Sequence, residues 1–275
     1  MKHLMRMAQA DIGESIRARW FFVYTVVFGT IMVGLLVSGL TESRIMGFTG
    51  LSRLLVTYIQ ITMAILPIFM LITTVRSVVG DREAGVYEYM LSLPVSLSSW
   101  YWGKLVGRFI VIFLPVVIAM FLAVFWGMFK GVDIPWSQVL LYIGLLDALI
   151  VCFLGIGMLI STLSKSTDVA QGAAFIIWLT LLLFLDLILL GTLIREGLPA
   201  ESAVGIALTN PLQAFRTATM LLFDPQLVLL GPSAYVILDL FGRLGYLWWA
   251  MIYPLVVGLS AAGLGYWGFQ RRDLS

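Results

Sequence analysis

Apolar residues occur along this chain in six long, nearly continuous runs, and the stretches between them hold most of the charge and the turn residues. Each run has about the 20 helical residues needed to cross a hydrocarbon layer of about 30 Å. The runs are continuous rather than alternating between polar and apolar positions, which favours helices over barrel strands. The sequence therefore predicts six spans, at about residues 20–40, 54–75, 106–129, 139–162, 171–192 and 246–268.

Composition sets the class of protein. Apolar residues make up 61% of the 275 residues, charged residues only 12%, and the mean hydropathy is +1.01. These values indicate an all-α integral membrane protein in which residues 20–275 form one six-span domain. The net charge of +2 is too small to suggest a nucleic-acid partner. The high hydropathy makes membrane lipid the expected environment.

The segment before the first span has a helical repeat of its own. Leu4, Ala8, Ile12 and Ile16 recur every four residues. This pattern predicts a helix over residues 1–19 that lies on the membrane surface, with a plain solvent-exposed tail as the alternative.

Orientation follows from the basic residues in the connections. With both termini in the cytoplasm, eleven of the seventeen Lys and Arg residues lie inside, as the positive-inside rule requires. The eleven are Lys2, Arg6, Arg17, Arg19, Arg76, Arg82, Lys104, Arg108, Lys165, Arg271 and Arg272.

Two kinds of chemistry are not expected in this chain. A single Cys (Cys152) and a single His (His3) do not make a soft-metal site. The Gly103-Lys104 pair is followed by Leu105 and lacks the upstream glycine of a phosphate-binding loop. We therefore expect no catalytic residue, no metal and no cofactor here, and any ATP hydrolysis must come from another polypeptide.

Residues 77–108 form the longest charged and turn-rich stretch between two predicted spans. Charges come first, an apolar face follows, and a proline precedes the next helix, which indicates a short amphipathic helix with charged ends. Such a segment belongs at a surface or in a cleft of a partner, because charges are costly in lipid, although an ordinary solvated loop is the alternative. The candidate contact residues are Asp81, Arg82, Glu83, Gly85, Glu88, Pro94 and Lys104.

Two acids fall inside predicted spans, Asp147 in the fourth and Asp186 in the fifth. Intramembrane acids face a bundle interior or a water-filled cavity. They are candidates for lining a translocation path, and packing contacts are the alternative.

The connection 193–244 is too long for a turn and too apolar for a free loop. Asn210-Pro211 predicts its central bend, because proline disfavours the α conformation of the residue before it and can itself open a helix. We expect an ordered helical cap on the outer side. The less favoured alternative makes 226–241 an additional span.

These motifs resemble the signature of type-2 ATP-binding-cassette (ABC) transporter permeases. The resemblance rests on residues 80–86 (GDREAGV), on Pro94-Val95-Ser96, on Gly103-Lys104, on Asn210-Pro211 and on residues 269–274 (FQRRDL). The chain departs from the pattern at Val86, where Thr is usual, and at Leu97, where a basic residue often stands. Within the family it most resembles the permeases grouped with multicopper and nitrous-oxide-reductase maturation.

The resemblance implies a permease subunit in a bacterial inner membrane, paired with a second permease subunit, with a homodimer expected. It implies that residues 80–100 act as a coupling helix in a groove of a cytoplasmic ATPase, which would bind ATP and magnesium. We expect export as the direction of transport, and a periplasmic accessory protein is a further candidate partner.

Two other functions stay open at this point. In a proton-coupled secondary transporter, Asp147 and Asp186 would carry protons, although internal repeats typical of that class are absent from the sequence. In a membrane scaffold without transport, 77–108 and 193–244 would be docking surfaces.

Overall fold

The computed structural model describes residues 2–17, 21–23, 25–27, 29–30, 50–86, 89, 95–129, 136–184, 205, 208–223 and 232–272. Nearly all of these residues are helical, and these ranges contain no strand. The long helices are α1 (Lys2–Arg17), α2 (Gly50–Glu83), α3 (Leu97–Phe129), α4 (Trp136–Leu163), α5 (Thr167–Leu179), α6 (Pro211–Phe223) and α7 (Pro232–Arg272).

Four segments are long and apolar enough to cross a membrane: Thr62–Glu83, Leu97–Leu122, Trp136–Leu163 and Phe241–Arg271. They correspond to the predicted second, third, fourth and sixth spans, and Thr167–Leu183 is a shorter apolar helix within the predicted fifth. The all-helical membrane class is confirmed. The predicted first span lies mostly outside the described residues, so the count of six stays a prediction.

Two helices extend beyond their predicted bounds, and this changes the place of the charged motif. α2 continues to Glu83 instead of ending at residue 75, and it stops before Gly85, whose φ of 69° is a conformation that glycine adopts readily. α3 begins at Leu97, where the Ser96 hydroxyl accepts a hydrogen bond from the Ser99 amide at 3.3 Å. Asp81, Arg82 and Glu83 therefore end a span instead of opening a separate amphipathic helix.

α4 is the centre of the bundle and packs against α2, α6 and α7. Its closest approach is to α7, where Gly155 meets Gly258 backbone to backbone. α5 continues through a π-helical turn, Thr180–Phe184, and the Trp178 indole donates to the Ala64 carbonyl of α2 at 3.0 Å. Gly242, with a φ of 65°, bends α7 between its leading turns and its spanning part.

Both described ends of the chain meet at the start of α3. Near the end of α7, Phe269 stacks on Trp100 with ring centroids 5.3 Å apart, and α1 packs on Gly103. The Tyr101 hydroxyl of α3 donates to the Ala262 carbonyl of α7 at 2.9 Å. We call this side of the bundle, where α2 and α4 end and α3 and α5 begin, the junction end.

α6 lies within the segment 193–244 that the sequence predicts as an outer cap, and the order of that whole segment stays a prediction. α6 itself is buried on nearly all sides, with Ala214, Phe215 and Ala218 almost inaccessible to solvent. The Phe215 ring lies 5.9 Å from that of Tyr142, near the start of α4, so α6 enters the bundle from the end opposite the junction. A helix of 13 residues is too short to cross the bilayer, and its apolar faces are covered by the spans.

Candidate functional site

The candidate site is a set of charged side chains that join the helices at the junction end. Its members lie on α1, α2, α3 and α5. We call this set the helix junction, and it consists of Asp11, Asp81, Arg82, Glu83, Lys104, Arg108 and Thr167.

Lys104 joins α3 to the end of α2. Its ammonium group forms an ion pair with Asp81 and donates to the Ser77 carbonyl at 2.9 Å. It also lies over the Trp100 ring, 5.0 Å from the centroid. Lys104 is only 7% exposed, so removing either member of the pair would leave a poorly solvated charge.

Glu83 and Arg82 join the same end of α2 to α4 and α5. The Glu83 carboxylate accepts hydrogen bonds from the Thr167 amide, at 2.9 Å, and from the Thr167 hydroxyl, so it acts as a cap for α5 from another helix. One Arg82 nitrogen donates to the Ser164 carbonyl at 3.4 Å. The Ser161 hydroxyl, one turn earlier on α4, accepts from the amide of Val78 on α2 at 3.0 Å.

Arg108 joins α1 and α2 to α3. Its guanidinium donates to the Thr73 carbonyl at 2.6 Å and contacts Asp11 at 3.4 Å. Asp11 is only 3% exposed. Burial raises the pKa of Asp11 above its ordinary value, and the attraction of Arg108 and Lys104 opposes that rise.

Two glycines of α3 form the seat of α1. A Cβ atom at Gly103 would lie 2.6 Å from the Cβ of Met7, and one at Gly107 would lie 2.9 Å from the Ala8 carbonyl oxygen. This contact buries Asp11, whereas Ile16, on the face predicted to lie on the membrane, is 53% exposed. The contacts with α3, and not apolar periodicity alone, decide which face of α1 is buried.

The helix junction thus brings some predicted residues together and separates others. Asp81 and Lys104 pair with each other, whereas Arg82 and Glu83 reach towards α4 and α5, and Gly85 sets the turn after α2. Glu88 and Pro94 lie outside the described residues, and contact of this segment with an ATPase stays a prediction. Sequence reasoning did not name Asp11, Arg108 and Thr167 as site residues, and Arg108, at the start of the predicted third span, was counted only among the cytoplasmic basic residues.

The other predicted residues lie away from the junction. Asp147 is half-buried on α4 and has no hydrogen bond or ion pair within the described part of the chain, and Asp186 lies outside that part. Asn210 caps α6: its side-chain oxygen accepts from the Leu212 amide at 2.9 Å. Its amide nitrogen donates to the Leu181 carbonyl, in the π-helical turn, at 2.6 Å.

These polar and ionic contacts can hold α1 and the junction-end termini of α2, α3, α4 and α5 in one arrangement, as a protein that moves its spans together requires. The chain is 24% identical over 236 residues to the "Probable ABC transporter permease protein NosY" of Stutzerimonas stutzeri, covering 82% of this chain and 83% of that protein. It is 23% identical over 277 residues to the protein of the same name from Pseudomonas aeruginosa, covering 98% of each.

A family model described as ABC-2 family transporter protein matches residues 5–274, which include the helix junction and all seven helices from within α1 to the end of α7. ATP hydrolysis in such a transporter belongs to a separate subunit. This chain therefore belongs to the ABC-2 family of transporters and is a permease subunit.

Proposed function

We propose that this permease subunit exports its substrate across a bacterial inner membrane as one half of a homodimer, and that the helix junction carries the movement of a cytoplasmic ATPase into the spans. One observation supports this most directly. Asp81, Arg82 and Glu83 lie at the start of the predicted coupling segment, residues 80–100, and each contacts a different neighbour, namely α3, the α4–α5 connection and α5.

A push on the segment after Gly85 would act on the end of α2. Because α3 and α5 are hydrogen-bonded to that end, the three helices would move as a unit instead of sliding past one another. The partner ATPase would supply ATP binding with magnesium, and this chain would supply the mechanical connection. Buried ion pairs suit such a role, because they fix one arrangement of the helices more than they add stability.

The test replaces Glu83 by Ala in the complex of permease and ATPase, reconstituted in lipid nanodiscs. Spin labels on α3 and α5 report the distance between these helices with and without a non-hydrolysable ATP analogue. We expect Glu83→Ala to keep the ATPase bound but to lose the nucleotide-dependent change in distance. Asp168→Ala removes an exposed acid next to Thr167 and is the matched control.

An unchanged distance response in Glu83→Ala would refute the proposed role of the junction. A wild-type complex that shows no nucleotide response and moves no substrate would favour the scaffold function instead. A proton-coupled carrier would transport without any ATPase, and Asp147→Asn would then abolish transport.

The topology has a separate test. We place both termini in the cytoplasm, because α1 and the end of α7 both lie at the junction end. Reporter fusions after Ser43 and after Ser166 should report outside and inside, respectively. The reverse result would put the junction on the wrong side for an ATPase. On the expected topology, α6 enters from the periplasmic end, where an accessory protein would bind.

A further inference from the structure

An amphipathic groove of about 670 Å³ opens between α1, α2 and α3 at the junction end. Its volume lies in the range typical of small-molecule sites, about 300–1,000 Å³. One part of its wall is apolar and the other is charged. The wall includes Ile65, Ile68, Phe69, Ile72, Arg76 and Glu14.

The apolar part of the wall follows one face of α2 at helical spacing and ends at Arg76. Eleven residues separate Ile65 from Arg76, which corresponds to about 16 Å along the axis at 1.5 Å per residue. This is close to half of a hydrocarbon layer of about 30 Å. The groove therefore has the depth of the acyl region of one leaflet, with its charged end at the level of the lipid headgroups.

Four ionisable side chains line the charged end, and two of them are already paired. Arg108 contacts Asp11, and Asp81 pairs with Lys104. Arg76 and Glu14 are exposed and make no hydrogen bond or ion pair in the described ranges, although the charge of Arg76 acts at longer range on Glu83. One cation and one anion are thus left to face the groove.

We propose that this groove binds one membrane phospholipid with an amine headgroup, such as phosphatidylethanolamine. Arg76 would bind the phosphate, Glu14 the ammonium group, and an acyl chain would lie along Ile68 and Ile72. The bound lipid would contact α1 and α2 together and would thus tie the N-terminal helix to the bundle. The groove shares Asp81 and Arg108 with the helix junction, but the two groups proposed to bind the headgroup, Arg76 and Glu14, lie outside the junction, and the site does not depend on the direction of transport.

Charge complementarity distinguishes this occupant from others. A purely anionic lipid satisfies Arg76 but places a negative headgroup beside Glu14. A second copy of the chain would bury an apolar surface but would have to supply its own partners for both charges. A zwitterionic phospholipid supplies both charges and the apolar length.

The first experiment measures lipid retention by native mass spectrometry of the permease–ATPase complex, purified with equal amounts of phosphatidylethanolamine and phosphatidylglycerol. We expect phosphatidylethanolamine to be retained preferentially. Arg76→Ala should lower its affinity about tenfold, which corresponds to about 1.4 kcal/mol, a typical value for a hydrogen bond to a charged group. Ile68→Trp, which fills the apolar part, should also reduce retention. Arg6→Ala removes an exposed arginine of α1 outside the groove and should have no effect.

Equal retention by Arg76→Ala and the wild type, or preference for phosphatidylglycerol, would overturn the proposal. The second experiment identifies the occupant by position. A bimane label at Ile72→Cys should be quenched by brominated phosphatidylethanolamine in the assembled complex. Oxidative cross-linking of Ile72→Cys between two copies would place the second permease in the groove and would equally overturn it. Displacement of the lipid by inorganic phosphate would contradict a lipid site and indicate a simple anion site.

Discussion

Replacing Gly258 by Ala tests whether α4 and α7 need their direct backbone contact. A Cβ atom at Gly258 would lie 2.6 Å from the Cα of Cys152 and 2.7 Å from its nitrogen. Ordinary van der Waals contact requires 3.4–4 Å, and the opposing atoms are backbone, which cannot rotate away. The two helices would therefore have to separate by about 1 Å, at a cost in packing.

The cost follows from the packing along this helix pair. A gap of 0.5–1 Å forfeits about a quarter to a half of the dispersion energy of each contact that it opens. Overpacking of a core costs about 1–3 kcal/mol, and the helix propensity of Ala returns up to about 1 kcal/mol. Because α4 is the central helix, we expect the upper part of this range, a net loss of about 2 kcal/mol.

The assay is thermal unfolding of the purified protein in one detergent, followed by size-exclusion chromatography of the fraction that remains folded. A loss of about 2 kcal/mol should lower the midpoint by about 4–8 °C for a chain of this size. Gly263→Ala on the same helix is the control, because a Cβ atom there meets nothing within 4 Å. Equal midpoints for Gly258→Ala and Gly263→Ala would refute the close-contact reasoning.

Three further predictions concern polar contacts. Asn210→Ala should lower the unfolding free energy by about 3 kcal/mol, because it removes a helix cap and leaves the Leu181 carbonyl unpaired; Asn210→Ser, whose hydroxyl can still accept the cap hydrogen bond, should lose less. Lys104→Met should lower the unfolding free energy by about 3 kcal/mol, and the double variant Lys104→Met with Asp81→Asn should lower it distinctly less. If the losses of the two single variants simply add in the double variant, the pair is not coupled. Because burial raises the pKa of Asp11, the folded state binds more protons than the unfolded state above the ordinary pKa of 3.8, so stability should fall as the pH rises from about 4 towards neutrality. Asp11→Asn should flatten that pH profile in the same unfolding assay, and an unchanged slope would show that another group is responsible.

The membrane class and the positions of most described spans follow from the sequence alone, because apolar runs of about 20 residues are typical of membrane-spanning helices. The residues at which the helices begin and end do not follow from hydropathy. α2 continues through Asp81, Arg82 and Glu83 because a helix outside the hydrocarbon layer needs only partners for its charges. These partners come from α3, from the α4–α5 connection and from α5.

Tertiary partners also explain what sequence reasoning missed. Asp11 and Arg108 are 97 residues apart, and no local pattern relates them. The repeat in α1 predicted an apolar face on the membrane surface, and it did not reveal that the seat formed by the α3 glycines buries a face that contains a carboxylate. α6 lies in the segment predicted as an outer cap, and its short length does not reveal that neighbouring spans surround it.

The position of the α1 seat has a consequence for biosynthesis. α1 is translated before α3, so Asp11 cannot contact Arg108 until 97 further residues have been made. At about 5–20 residues per second this delay is on the order of 5–20 s. During that time the face of α1 that later contacts Gly103 and Gly107 has no partner. The other face, with Ile12 and Ile16, can hold the helix on the membrane surface until the third helix emerges. The exposed apolar residues of α1 would then hold the helix on the membrane in the nascent chain, and its buried carboxylate would hold it against α3 in the folded protein.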